Sequence, residues 1–199
     1  MRNVIRNLTI AIAGVVAATS LTGCATTAES IDTAGEMAAA NEAANAVVFG
    51  KFRLVRNGED VEFGDSIFAN SAKLYLSEAG STGEIVGAVG RDGEFAWALQ
   101  PGEYQVSSIA FKFHGETIEP ATNFSFTVSP EYQASYIGTI TLETMFDHGY
   151  YGVSGTIDRF SVSNDCKSEC ATRLSRLGLD ENSATTSLLH WNQHVASTN

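Results

Sequence analysis

The sequence predicts an all-β protein: a single antiparallel β-sandwich of about seven to nine strands with a short C-terminal helix. Over residues 47–163, short runs of β-branched and aromatic residues alternate with Gly, Asn, Asp and Pro, which is typical of such domains. Phe95, Trp97 and Leu99 occupy every second position, so one face of that strand points into a core. The dipeptide Asn57-Gly58 is a strong signal for a tight hairpin turn.

Residues 1–23 have the pattern of an export signal. Arg2 and Arg6 form a basic start, an apolar stretch follows over residues 8–18, and small residues precede Cys24. The apolar stretch is shorter than the about 20 residues that a transmembrane helix needs. We therefore expect a leader peptide that is removed on export.

The leader ends in the tetrapeptide Leu21-Thr22-Gly23-Cys24, which resembles the lipobox of bacterial lipoproteins. The resemblance implies cleavage between Gly23 and Cys24 and acylation of the Cys24 thiol with palmitate-like chains, and two or more such chains anchor a protein stably. In Gram-negative lipoproteins an Asp after the cysteine tends to retain the protein in the inner membrane, and here that residue is Ala25. The resemblance thus implies a periplasm-facing protein anchored to the lipid bilayer of the outer membrane. An ordinary secretory signal is the alternative.

The charge of the chain is strongly acidic. Twelve Lys and Arg stand against 23 Asp and Glu, which gives a net charge of −11. Removal of Arg2 and Arg6 with the leader leaves 10 against 23, or −13. Such a surface repels nucleic acid and anionic lipid headgroups, so we expect no nucleic-acid partner.

Residues 24–46 are rich in Ala, Thr, Glu and Asn and contain few large apolar side chains. A segment of this composition buries too little surface to fold alone, which predicts a flexible tether between the lipid and the domain. The β-sandwich then follows over residues 47–163. Its predicted strands are 47–55, 61–63, 73–77, 84–89, 95–99, 104–113, 124–128, 136–142 and 154–162. The apolar parity changes along the strand 104–113, which predicts a β-bulge near Ser107 or Ser108.

The region 164–178 predicts a short helix that starts near residue 166 and ends at Gly178. Leu174 and Leu177 are three residues apart, so the helix has one side that can rest on the sandwich. Residues 179–199 are polar and weakly patterned, and we expect a frayed polar tail.

Once Cys24 is assigned to the lipid, Cys166 and Cys170 remain as a pair. Exported proteins retain disulfides, so we predict a Cys166–Cys170 bridge that closes a small loop and contributes about 2 kcal/mol. A zinc site formed by this pair with His190 and His194 is the alternative. The 19 residues between Cys170 and His190 exceed the usual spacing of about 12–15, and we therefore predict no metal and no cofactor.

The segment 92–104, DGEFAWALQPGEY, resembles the carboxypeptidase-regulatory-like (transthyretin-like) β-sandwich domains. In those domains a strand ends in Leu, a Pro-Gly turn follows, and a Tyr opens the next strand, as Leu99, Pro101-Gly102 and Tyr104 do here. The later run YIGTI at residues 136–140 is similar to the closing strand of small bacterial lipoproteins with this sandwich. The resemblance covers roughly residues 47–143 and implies a binding or spacing module without catalytic residues.

The sequence contains no serine-hydrolase elbow, no zinc-protease helix and no phosphate loop, so we expect no enzyme. The candidate ligand contacts are His148, Tyr150 and Tyr151, because flanking glycines favour exposed aromatic rings. The alternative is that these tyrosines only cover the end of the sandwich. We expect a non-enzymatic structural or interaction module with an envelope protein as partner, and the alternative is a protein that binds a small ligand, a carbohydrate or a divalent metal.

Overall fold

The structure of the protein is a computed structural model that describes residues 25–43, 45–63, 72–113, 116–149, 152–166 and 168–191. Most of the described chain is β-strand. The strands are β1 (Thr26–Thr27), β2 (Ala46–Arg56), β3 (Glu59–Val61), β4 (Ala72–Glu78), β5 (Ile85–Ala88), β6 (Glu94–Leu99), β7 (Gly102–Phe113), β8 (Glu116–Ile118), β9 (Ala121–Val128), β10 (Ala134–Gly149), β11 (Gly152–Ser163), β12 (Ala184–Thr186) and β13 (His190–Trp191). The helices are α1 (Ala34–Glu42), α2 (Ser168–Arg176) and a 3₁₀ turn, Glu181–Ser183.

The strands form two sheets. One has seven strands in the order β1-β5-β4-β7-β9-β13, with β8 beside β7. The other has six strands in the order β11-β10-β2-β3, with β12 beside β10 and β6 beside β2. The thirteen strands of the described residues exceed the predicted seven to nine. Five of them have only two or three residues, which is too short to show an alternating pattern.

The sheets are mixed, which corrects the prediction of a purely antiparallel arrangement. β2 and β10 run parallel, as do β10 and β12, and β1 and β5. Parallel neighbours need a long connection, and the strands β3 to β9 lie between β2 and β10 in the chain. Alternating apolar residues show which side chains share one face of a strand. They do not show whether the neighbouring strand runs parallel or antiparallel to it.

The main strands otherwise follow the predicted boundaries closely. The predicted bulge is confirmed, because the register of β7 with β9 shifts between Val106 and Ser108. The turn between β2 and β3 is also confirmed: Asn57 and Gly58 both have positive φ, 51° and 86°, as a tight hairpin turn of this type requires. β10 is longer than predicted and continues to Gly149.

The main hydrophobic core lies between the two sheets and takes side chains from both. Its largest fully buried members include Trp97, Phe52, Phe111 and Leu74. The Trp97 ring stacks on Phe95 with centroids 4.3 Å apart, and its Nε1 donates to the Ala88 carbonyl at 2.9 Å. A Cβ at Gly87 would lie 2.5 Å from the Trp97 ring, so the close approach of that strand requires glycine. The placement of Trp97 in the core is as predicted.

A second, smaller core covers the outer face of the six-stranded sheet. Both helices pack there, and its buried members come from α1, α2 and the sheet: Ile31, Met37, Ala40, Val47, Phe49, Ala96, Ala134, Tyr136, Cys170, Leu174 and Leu177. The predicted contact of Leu174 and Leu177 with the sheet is therefore confirmed. Neither helix of the described residues is long and apolar enough to cross a membrane.

The N-terminal described segment belongs to the fold, which corrects the flexible tether predicted over residues 24–46. The Thr26 N–H donates to the carbonyl of Glu84, just before β5, the Ala28 N–H donates to Val86 of β5, and Ile31 donates to the Ala96 carbonyl of β6. The segment thus joins one edge of both sheets. Ile31 is 0% exposed. Composition averaged over the segment hides the fact that its few large apolar residues, Ile31 and Met37, are buried.

Helix α1 follows this segment directly. The Thr33 hydroxyl accepts a hydrogen bond from the Glu36 backbone, and the Glu36 carboxylate accepts from the Thr33 backbone at 2.9 Å. This reciprocal capping box satisfies two of the free N–H groups at the helix start. The backbone hydrogen bonds to Glu36, chiefly from Asp32, lower the pKa of its carboxyl group.

The C-terminal described segment closes the opposite edge of the sandwich-like pair of sheets, which corrects the polar tail predicted over residues 179–199. Strand β12 pairs with β10 of one sheet and β13 pairs with β9 of the other. Between them Leu189 is buried, and its N–H donates to the Ile137 carbonyl. Polar composition misled the prediction because backbone hydrogen bonds, rather than apolar side chains, hold most of this segment. Residues 192–199 lie outside the described part.

Candidate functional site

The residues predicted for lipid attachment and ligand contact fall largely outside the described part of the chain. Gly23, Cys24, Tyr150 and Tyr151 all lie there. His148 lies on β10, where its backbone pairs with Val153 of β11, and its side chain is not among those described. The structure therefore places the His148 position at the end of a hairpin but does not test the contacts.

The β10–β11 hairpin extends beyond the rest of its sheet. The last pair between β10 and β2 is Thr144 with Arg56, whereas β10 continues to pair with β11 as far as Gly149. Five residue pairs lie past that point, a length of about 16 Å. No other strand of the described residues pairs with this extension or with the outer edge of β11.

This hairpin carries two of the three large apolar side chains that are exposed among the described residues. Met145 is 56% exposed and Ile157 is 39% exposed. They lie on opposite faces of the hairpin, since Met145 pairs with Thr156 and Ile157 pairs with Thr144. An exposed edge with apolar side chains on both faces is a surface that another chain can bind, through backbone hydrogen bonds and apolar contacts.

The predicted disulfide is present. Cys166 and Cys170 are bonded, with their Cα atoms 5.0 Å apart. Helix α2 begins at Ser168, so Cys166 lies just before the helix rather than in it, and the bridge fixes the entry of the chain into its first turn. Both thiols are consumed by this bond and are not available as the thiolate ligands of the zinc alternative.

The remaining parts of the zinc alternative are not brought together either. His190 lies on β13 of the seven-stranded sheet, whereas Cys170 packs against the outer face of the six-stranded sheet. His194 lies outside the described residues. Within the described ranges no group of three or more His, Cys, Asp or Glu side chains is placed to hold a metal ion.

A cluster of charged side chains fixes α2 to the sheet beside the disulfide. Arg173 of α2, 9% exposed, donates a short hydrogen bond to the Glu94 carboxylate of β6. The Arg176 guanidinium lies 3.4 Å from the same carboxylate, and Asp32 of the N-terminal segment lies 3.5 Å from Arg173. The cluster therefore joins three separate parts of the chain and has balanced charge.

A narrow cleft lies between this cluster and the disulfide. Its walls include Phe49, Tyr136, Cys170 and Arg173, and the Tyr136 hydroxyl lies 3.2 Å from the Thr139 hydroxyl. The free volume is about 20 Å³, which is space for one water molecule. The cleft is thus part of the packing between α2 and the sheet and is too small for an organic ligand.

A wider groove lies at the far end of β2, where Lys51, Arg53, Asp60 and Arg91 contribute to its walls. The Arg53 guanidinium donates two hydrogen bonds to the Asp60 carboxylate, at 2.5 and 2.7 Å. This bidentate pair lowers the pKa of Asp60 and raises the pKa of Arg53. The Arg53 and Asp60 charges therefore neutralise each other within the groove.

Burial in the core raises the pKa of Tyr104 to about 12. Its hydroxyl donates to the Gln100 carbonyl at 2.9 Å and so closes the turn that contains Pro101-Gly102. The role is structural, because the ring packs in the core against Phe126.

The ion-pair cluster and the hairpin extension were not identified from the sequence. Glu94 and Arg173 are 79 residues apart, and no local pattern indicates such a pair. The sequence indicates the hairpin only weakly, through the glycines at 149, 152 and 155 and the aromatic residues between them.

Comparison with known proteins adds little. No protein-family model matches the chain, and no curated protein matches it. Among solved structures, one similar chain is described as a DUF3823 family protein from Bacteroides ovatus ATCC 8483, with 17% sequence identity and a TM-score of 0.24. The match covers 60% of this chain and 56% of that one. At this TM-score the likeness carries no argument about this protein.

Proposed function

We propose that the chain is a lipoprotein anchored in the outer membrane through acylated Cys24 and facing the periplasm. The support is the leader over residues 1–23 and the lipobox-like tetrapeptide that ends it. The bilayer is then one partner of the protein, held through its acyl chains.

The domain itself acts as a non-enzymatic interaction module whose partner is another envelope protein. The observation that carries this part is the extension of the β10–β11 hairpin, with Met145 exposed on one face of it and Ile157 exposed on the other face at its base. Among the described strands none pairs with the outer edge of β11, so this edge offers backbone groups to an added strand, and Met145 and Ile157 offer apolar contacts to either side of it.

We further propose that the two sheets form a sandwich of the carboxypeptidase-regulatory-like kind. The support is local: Gly93 has a φ of 80°, Phe95, Trp97 and Leu99 point into the core, and Tyr104 packs back across its turn. The assignment can be tested by asking whether known sandwiches of this kind also pair the strands equivalent to β2 and β10 in parallel.

Cell fractionation tests the anchor. The full chain with Cys24→Ser is expected in the soluble periplasmic fraction, whereas the unchanged chain is expected in the membrane fraction and is released by detergent. The double variant Cys166→Ser/Cys170→Ser is the matched control, because it removes two thiols but leaves the anchor. Recovery of the Cys24→Ser variant in the membrane to the same extent as the parent would overturn the proposal.

Crosslinking tests the interaction part. Met145→Lys and Ile157→Lys place charges on the exposed hairpin faces and are expected to abolish envelope crosslinks without loss of folding. The control variant Tyr132→Lys changes the third exposed apolar side chain, which lies away from the hairpin. An unchanged pattern of crosslinked proteins in both hairpin variants would contradict the role of the hairpin.

A further inference from the structure

The path of the N-terminal segment determines how an anchored molecule sits on the bilayer. The Thr26 N–H donates to the Glu84 carbonyl at 2.8 Å, and the Ala28 N–H donates to the Val86 carbonyl at 3.0 Å. The chain is therefore fixed to the edge of the seven-stranded sheet from Thr26 onward. Only Ala25 separates Thr26 from Cys24.

The covalent geometry of the chain limits the distance between Cys24 and Thr26. Consecutive Cα atoms are about 3.8 Å apart, so the Cα of Cys24 lies within about 7.6 Å of that of Thr26. An acyl chain on Cys24 starts at this point. With the proposed acylation of Cys24, a single residue, Ala25, separates the lipid from the first strand.

The strand register shows which end of the domain this is. Thr26 pairs with Ile85, at the start of β5, and the Ala79 N–H donates to the Glu103 carbonyl, which joins the β4–β5 turn to the start of β7. We define the anchored end as Thr26, the β4–β5 turn at residues 79–84 and the β6–β7 turn at residues 100–103. β2 and β10 both start near this end, because Ala46 pairs with Leu99 and Ala134 pairs with Val47.

The opposite end carries the β2–β3 turn and the β10–β11 hairpin. β10 runs from the anchored end to the hairpin over 16 residues, a length of about 50 Å. Thus Thr26, next to the proposed anchor, and the β10–β11 hairpin lie at opposite ends of the longest strand that the structure describes.

The charges of the two ends also differ. Glu78, Glu84 and Glu103 lie at or beside the anchored end. All nine Lys and Arg of the described residues lie farther along the strands, in the β5–β6 turn or on α2: Lys51, Arg53, Arg56, Lys73, Arg91, Lys112, Arg159, Arg173 and Arg176. Several of them are paired with carboxylates, for example Arg53 with Asp60 and Arg159 with Glu143.

The covalent link, and not charge attraction, therefore holds the anchored end at the lipid. The chain is net acidic, so an anionic bilayer surface repels the body of the domain. The upright orientation therefore rests on geometry: the proposed lipid is attached within about 7.6 Å of Thr26, at one end of the strands.

We infer that the protein packs its anchored end directly against the bilayer and stands upright, which holds the β10–β11 hairpin at up to about 50 Å from the membrane surface. The inference rests on the proposed lipid anchor. It identifies a lipid surface as the partner of residues 79–84 and 100–103, and it makes the hairpin the part of the molecule that meets a partner distant from the membrane.

Fluorescence quenching on vesicles tests the inference. The acylated full chain carries one added cysteine, either Thr82→Cys at the anchored end or Glu59→Cys at the opposite end, and each is labelled with the same small fluorophore without reduction of the native disulfide. Both positions are exposed. The proteins are placed in phosphatidylcholine vesicles that contain a headgroup-level lipid quencher. We expect severalfold stronger quenching at position 82 than at position 59.

A third protein adds a Gly/Ser spacer of about 20 residues between Cys24 and Ala25, which separates lipid and domain by roughly 25 Å on average. The spacer is expected to abolish most of the quenching at position 82. Vesicles that also contain phosphatidylglycerol are expected to preserve the contrast between the two labels.

The outcomes separate the two proposals. A chain that carries no acyl group and does not bind vesicles refutes the anchor itself. A chain that is acylated and bound, but whose labels are quenched equally with and without the spacer, refutes the orientation while the anchor stands. Strong quenching at position 59 on phosphatidylglycerol vesicles refutes the upright arrangement.

Discussion

Replacement of Ile31 by Ala tests whether the N-terminal segment is part of the fold. The Ile31 side chain is fully buried in the small core between the six-stranded sheet and the helices, together with Met37 and Leu177. If residues 25–43 were a flexible tether, this side chain would be in water and its truncation would have no effect on the stability of the domain.

The expected magnitude follows from the burial. Full burial of an aliphatic side chain contributes about 1.5–3 kcal/mol relative to exposure, and truncation to Ala also leaves a cavity, so the total cost is about 2–5 kcal/mol. For a chain of this size that corresponds to a fall in Tm of about 4–20 °C. The loss is a large share of the about 5–15 kcal/mol that keeps most domains folded.

Urea unfolding of the full chain, followed by tryptophan fluorescence, measures this change because Trp97 is buried in the main core. Glu42→Ala is the matched control, since Glu42 lies exposed on α1 in the same segment and its replacement is expected to change stability by less than about 0.5 kcal/mol. An Ile31→Ala variant as stable as the Glu42→Ala variant would refute the packing of this segment and with it the short distance to the lipid.

Three further results are expected. Reduction of the Cys166–Cys170 bridge lowers the free energy of unfolding by about 2 kcal/mol. Urea unfolding with and without reductant measures this change. A variant with both cysteines replaced by Ala should not respond to reductant, and a response would contradict the assignment. The pKa of Tyr104 is about 12 in the folded state and near 10 in the unfolded chain, so stability is lost as pH rises between these values. The Tyr104→Phe variant should not show this loss when unfolding is measured at alkaline pH. If the variant and the parent lose stability equally, another group is responsible. Arg173→Met lowers the free energy of unfolding by about 1–3 kcal/mol because it leaves the Glu94 carboxylate half-paired. Adding Glu94→Gln recovers part of this loss. A double-mutant cycle with no coupling energy would show that the pair does not hold α2 to the sheet.

Local patterns in the sequence were enough to locate the main strands. The alternation of Phe95, Trp97 and Leu99 fixes which side chains enter the core, and the parity change after Val106 locates the bulge in β7. These features depend on neighbours within one strand, so they can be read from a single chain. The same is true of Gly178, whose positive φ follows the end of α2.

Long-range pairing was out of reach for the same reason. Nothing local indicates that β2 lies parallel to β10, or that the segments at the two ends of the described chain each bridge both sheets. Ile31 is one of few large apolar residues in a polar stretch, and the core in which it is buried includes Leu177, more than a hundred positions away. The charged cluster around Glu94 likewise exists only after the helix has packed on the sheet.

The candidate site divides in the same way. The disulfide was predictable from two cysteines and the expected compartment, and the structure forms it. The hairpin extension exists because β10 continues past the last residue that pairs with β2, and this depends on the register between two strands that are distant in sequence. The interaction surface proposed for this protein could therefore be recognised only from the structure.

Mass spectrometry of the protein purified from native membranes tests the central claim most directly. The account predicts that the N-terminal residue is Cys24 and that its mass exceeds that of cysteine by a diacylglyceryl group, with or without a further acyl chain on the amine. A mature chain with an unmodified Cys24 thiol, or one that begins at a later residue, would contradict it.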